Sequence, residues 1–143
     1  MIQDVQTLLS NAQAITGDVV STNVIDLNAP GTIYGTTAAM IRNIGNGHKI
    51  PLMVQVVESF NNLTSLEVLM YVDDNAAMSS PKIIGRTGAI PLASLVAGYQ
   101  FDLDEIGRRA DERYFALYYD VTGTAPTLGK ITAGVVGGVP SNG

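Results

Sequence analysis

The sequence predicts an all-β fold, a jelly-roll-type antiparallel β-sandwich of about eight short strands with a short N-terminal arm or helix. Three observations carry that prediction. Apolar and polar residues alternate with a period of two through most of the apolar runs. Turn residues punctuate those runs at short intervals. No segment with helical spacing is long enough to be the crossover of a βαβ unit. The 143 residues suit one domain spanning 1–143, long enough to bury a core unaided.

The elements follow in chain order. Residues 1–11 form the N-terminal arm: Ile2, Val5, Leu8 and Leu9 stand at helical intervals, which fits one or two turns of helix or an arm that docks on a partner. Ala14-Ile15-Thr16 and Val24-Ile25-Asp26-Leu27 read as short strands on either side of Gly17-Asp18. Residues 29–48 hold four glycines and a proline, and a connection of that length in a small domain is functional or mobile.

Ile50 to Glu58 is the first strong strand, with Leu52, Val54 and Val56 on one face and Met53, Gln55 and Val57 on the other. Asn61-Asn62 marks a turn, and Leu66 to Val72 alternates again until Asp73-Asp74-Asn75 ends it. Lys82 to Ile90 is a third strand that Gly85 and Gly88 bend or bulge. Pro91 to Val96 suits a single helical turn, and Tyr99 to Leu103 a short strand. The strongest signal is Arg113 to Val121, where Phe115, Leu117, Tyr119 and Val121 alternate with Tyr114, Ala116, Tyr118 and Asp120. Gly123 to Thr127 turns the chain around Pro126 into a closing strand, Gly129 to Val136. Residues 137–143 are expected to be a flexible tail.

Composition narrows the function. Hydrophobic residues make up 46% and charged ones 15%, against about 25% charged in an ordinary soluble domain. Either part of the surface is covered by a partner, or this is a compact β protein that carries few charges. A net charge of −5 with eight basic residues supplies no patch for nucleic acid. The one local cluster, Arg108, Arg109 and Arg113, is interleaved with Asp104, Glu105, Asp111 and Glu112, and reads as a self-neutralised turn. Cysteine is absent, which removes disulfides and thiolate chemistry. No apolar run approaches the roughly 20 residues of a membrane span. The N-terminus has no signal-peptide pattern, so the expected site of synthesis and retention is the cytoplasm of the producing cell.

The candidates for chemistry each have a plainer reading. His48, in Gly45-Asn46-Gly47-His48-Lys49, is expected to be a turn histidine and not a general base, because no nucleophile-elbow serine accompanies it. Asp102-Leu103-Asp104-Glu105 and Asp73-Asp74 lack the glycine and ligand spacing of a calcium loop, and read as solvated turns. Gly45-Asn46-Gly47 does not continue into a phosphate-binding fingerprint. Tyr114, Tyr118 and Tyr119 fit half-buried strand aromatics better than a stacking platform. The expectation is a protein that is not an enzyme, with no catalytic residue, no metal ligand and no cofactor.

Two stretches carry a resemblance. Arg113 to Gly134, which reads RYFALYYDVTGTAPTLGKITAG, resembles the C-terminal signature of small cement proteins from short-tailed bacteriophages of the Bordetella-phage type. Asn11-Ala12-Gln13-Ala14-Ile15-Thr16 followed by Ser21 to Leu27 is similar to that family's opening. Phe115 stands where that family often has leucine, a conservative departure. The resemblance implies a jelly roll that decorates the capsid exterior of a virion, assembled in the host cytoplasm. Its implied partners are the major capsid protein, whose neighbouring subunits it bridges, and itself, as a homodimer in preference to a trimer. Ile2, Val5, Leu8, Leu9, Tyr34 and Phe60 are the expected capsid or self-interface contacts. The alternative is a non-enzymatic binding module, either a carbohydrate-recognising jelly roll or a tail or adhesin component.

Overall fold

The central strands are those in which alternation is cleanest, because a strand buried on one face needs apolar residues at every second position. The computed structural model describes residues 3–42, 44, 47 and 49–139. Its strands are β1 (Gln3–Ala14), β2 (Val19–Val20), β3 (Ile25–Asp26), β4 (Ile50–Glu58), β5 (Leu63–Asp73), β6 (Lys82–Arg86), β7 (Ile90–Pro91), β8 (Glu105–Ile106), β9 (Tyr114–Gly123) and β10 (Lys130–Val136). A single 3₁₀ turn covers Leu92–Ser94, where the sequence predicts one turn of helix.

One sheet runs β1-β10-β4-β8, and the other runs β2-β9-β5-β6, with β3 also on β9 and β7 also on β5. β2 and β3 follow one another along the same strand, Val19 opposite Tyr119 and Asp26 opposite Tyr114, so they are one interrupted strand. β6 and β7 divide β5 in the same way. Taken so, the chain has eight strand positions, and antiparallel ladders join first to eighth, second to seventh, third to sixth and fourth to fifth. That nesting is one long hairpin folded over into two sheets, the jelly roll. The closing ladders, β10 on β4 and β9 on β5, complete each sheet.

The core lies between the sheets. Leu52, Val54 and Val56 of β4 and Ile131 and Ala133 of β10 meet Leu66, Val68 and Val72 of β5 and Phe115, Leu117 and Tyr119 of β9. Each full burial of a large apolar side chain contributes about 1.5–3 kcal/mol. Phe60 is packed there as well, against Gly129, whose φ of +130° and contact with the ring leave no room for a Cβ.

Three expectations are corrected. Ala14-Ile15-Thr16 is not a short strand of its own, since β1 ends at Ala14 and β2 begins at Val19. Residues 3–14 form a strand and not a helix or a loose arm. β1 carries register shifts after Gln3, Leu8 and Ser10, with Ala12 at φ +46°. Each bulge inserts residues that break the period of two, and the result mimics helical spacing. Tyr99–Leu103 is likewise not a strand. It runs beside β4 through separate bonds, Val56 N–H to Tyr99 O at 2.9 Å and Phe101 N–H to Val54 O at 2.9 Å, and a ladder forms only at β8. The predicted break in Lys82–Ile90 is present: β6 ends at Arg86, and Gly88 turns at φ +74° before β7.

Candidate interaction surface

Three features of the surface stand apart from the rest. The first is a finger between β3 and β4. Leu27 and Ile44 pack on the core at its base, and every residue from Asn28 to Ile41 is exposed. Asp26 starts it: its carboxylate accepts the Asn28 N–H at 2.8 Å, and Asn28 turns outward at φ +68°. Arg113 holds the same carboxylate bidentately at 2.8 and 2.9 Å, and that fork lowers the Asp26 pKa to about 2. Arg42 closes the return, donating to the carbonyls of Leu27 and Asn28.

Within the finger, Thr32 and Ala39 form an antiparallel bridge. Ile33 N–H reaches Ala38 O at 3.0 Å, and Thr36 N–H reaches Ile33 O at 3.0 Å. The turn so closed has Gly35 at its third position with φ +79°, a conformation that glycine adopts without cost. Tyr34 is therefore lifted to the apex and is fully exposed. Ile33, Met40 and Ile41 are exposed with it, Ile41 at 86%. Several large apolar side chains standing in water on one loop are unusual for a folded domain.

The second feature is the bulge at the start of β1. Gln3 pairs with Val136 and Leu8 with Gly134, so residues 4–7 leave the ladder. Asp4 caps this excursion, its carboxylate accepting Gln6 N–H at 2.7 Å, and Val5 is 81% exposed. Beside it runs a groove of about 640 Å³, bordered by Val5, Leu8, Asn23, Val24, Asp26 and Asn28. A buried polar network holds the next part of β1. Ser10 Oγ donates to Gln13 Oε1 at 2.6 Å and lies 2.8 Å from Tyr119 Oη, which must then be the donor to it. Gln13 Nε2 donates to Val20 O, and burial pushes the Tyr119 phenol pKa well up.

The third feature is the outer face of the β5–β9 ladder. Tyr71 and Tyr118 stack at 5.0 Å and 9°. They stand on the same face as Leu69 and Ala116, which are buried. Burial raises both phenol pKa values, and Asp120 and Asp18 raise them further. Arg113 lies 5.1 Å over the Tyr114 ring on that face.

The expected contact residues divide. Tyr34 and Val5 are presented to solvent, and Leu8 is half-buried. Leu9 and Phe60 are corrections: both lie in the core, at 0% and 7% exposure, because the bulges turn Leu9 inward and Gly129 receives the Phe60 ring. Ile2 and His48 lie outside the described residues, as do residues 140–143 of the predicted tail. Sequence reasoning missed Ile33, Met40 and Ile41, although their signal was legible as apolar residues inside a Gly-rich connection with no β alternation.

Among the described residues no three acidic or histidine side chains are grouped to hold a metal. Asp73 instead caps its own loop, accepting Ser80 N–H at 2.8 Å and Asn75 N–H at 3.1 Å, which lowers its pKa. Glu105 is paired with Lys49 at 2.6 Å.

A family model described as Bbp16 matches residues 9–135. No curated protein matches the chain.

Proposed function

This chain belongs to the Bbp16 family, and we propose that it is a structural virion protein, a non-enzymatic cement on the exterior of an icosahedral phage capsid. In this reading it bridges neighbouring major capsid protein subunits, associates with itself as a homodimer, and is assembled in the host cytoplasm. The observation that carries the reading is the finger, an ordered hairpin whose Ile33, Tyr34, Met40 and Ile41 have no core to enter. The family match supports it, since both stretches that resemble Bordetella-phage cement proteins, 11–27 and 113–134, fall inside the matched span. The family's name is in keeping with such a source.

The mechanism is mass action. A protein that binds the assembled shell and not its separate subunits stabilises the shell in proportion to occupancy and affinity. Each finger side chain buried on the shell contributes about 1.5–3 kcal/mol before ordering costs, and repetition over many copies multiplies a modest contact. The test is a virion carrying a variant in which residues 32–39 are replaced by a short Gly-Ser turn. Cryo-EM occupancy of the shell is expected to fall, and the heat and chelator tolerance of the particle with it. Full occupancy with unchanged tolerance would remove the finger, and particles lacking the protein altogether that kept the tolerance of complete ones would remove the cement reading. A second reading, a carbohydrate-recognising module, is favoured by the stacked Tyr71–Tyr118 pair beside polar side chains; glycan binding by the isolated domain distinguishes it.

A further inference from the structure

On the outer face of the β5–β9 ladder Glu67 stands directly opposite Asp120. Both point away from the core, since Leu66, Val68 and Tyr119 take the inner side. Like charges at directly opposed positions destabilise a sheet. Asp18 brings a third carboxylate to the same place, one oxygen accepting Val121 N–H at 2.9 Å. Among the described residues the cation that answers them is Arg86, only loosely, at 3.6 Å from Glu67 and with its side chain 58% exposed. Elsewhere Lys49, Lys82, Arg113 and Lys130 each meet a carboxylate at 2.6–2.8 Å. On this face, then, carboxylates outnumber the cations that meet them.

The tyrosine stack lies beside the imbalance: Tyr118 precedes Asp120 by two residues on the same strand face, and Tyr71 follows Glu67 by four. Tyrosine ring faces attract cations. A rigid aromatic centre with a charged rim is also the usual anatomy of a protein interface. A local rule broken without gain to the fold marks a place where function has priority.

We infer that this face is a docking surface for a lysine- or arginine-bearing segment of a protein partner, whose cationic groups neutralise Glu67, Asp120 and Asp18 while its apolar stems lie against Tyr71 and Tyr118. The charge complementarity selects that occupant over a neutral one. The surface is separate from the finger: Asp120 is six residues along β9 from Tyr114, where the finger strand pairs, or about 20 Å. The inference therefore goes beyond the shell reading and does not depend on it.

The test uses the full chain with two probes, a hexa-lysine peptide and a neutral malto-oligosaccharide, followed by amide chemical shifts. Peptide shifts are expected to concentrate on residues 67–71 and 118–120 and to weaken as salt is raised. Asp120→Asn is expected to weaken the peptide by about tenfold and yet raise the Tm of the free domain by roughly 1–3 °C, because it relieves the opposed pair. Asp120→Glu keeps the charge and is expected to keep the binding. The inference is overturned if the shifts gather instead on the acidic 102–112 segment, or if the saccharide and not the peptide occupies the face. A Tm that is unchanged or lowered in Asp120→Asn overturns it too.

Discussion

The β5–β9 ladder and the finger are both β structure rich in apolar side chains, and they spend those side chains in opposite ways. The ladder runs from Leu63 opposite Gly123 to Asp73 opposite Tyr114, and it turns Leu66, Val68, Phe115 and Leu117 into a shared interior. The finger has one bridge, Thr32 to Ala39, and leaves Ile33, Tyr34, Met40 and Ile41 in water. The difference teaches where free energy is already committed. Apolar area in the ladder has been removed from solvent by folding, whereas that of the finger remains available for association.

Mutations divide along the same line. The largest effect is expected in the ladder: Phe115→Ala empties a fully buried site and should cost about 3–5 kcal/mol, read as a fall in the denaturation midpoint. A cost below about 1 kcal/mol would mean that the ladder is not the centre of stability and would break the comparison. Tyr119→Phe is a smaller probe of the same strand. It removes the hydroxyl that donates to Ser10 and should cost about 1 kcal/mol, visible in the same denaturation curve and in faster amide exchange along β1.

At the finger the expectation reverses. Replacing Ile33, Tyr34 and Ile41 together by alanine should change stability by no more than about 0.5 kcal/mol, because none of them is buried. The same variant should lose shell occupancy. A large stability loss would show that the finger is part of the fold and would collapse the distinction.

The smallest expected effect concerns pH at the finger's base. Arg113 and the Asn28 N–H hold the Asp26 pKa down to about 2, from an ordinary value of 3.8. A depressed folded-state value means that the anchor contributes fully above pH about 4 and is lost as pH falls through about 2. NMR signals of residues 26–28 and Arg113 should therefore stay unchanged from pH 7 to about 4 and move only below that. Arg113→Met should shift this transition upward toward the ordinary carboxylate range.

Legibility in the sequence followed the range of the interaction. β4, β5, β9 and β10 were readable because alternation such as Leu52-Val54-Val56 records which face of a single strand is buried, and that is a local property. The bend at Gly85 and Gly88 was readable for the same reason. β1 was not, since its bulges at Gln3–Leu8 and Ser10–Gln13 scramble the local period and only pairing with β10 reveals them. At the candidate surface Tyr34 was legible as an aromatic in a long connection. The core placement of Leu9 and Phe60 was not, because it depends on Gly129 and on the opposite sheet.

By itself, then, the sequence determined that the chain is built of short antiparallel strands with apolar inner faces, and that it is poor in charge. Side-chain alternation and turn chemistry act within a few residues, so they survive the reading of one segment at a time. The tertiary structure alone decided that first pairs with eighth and second with seventh. It also decided that Glu67 faces Asp120 and that Tyr71 stacks on Tyr118. These partners lie some fifty to more than a hundred residues apart in the chain, and such meetings are settled by how two sheets close over one core, which no local pattern records.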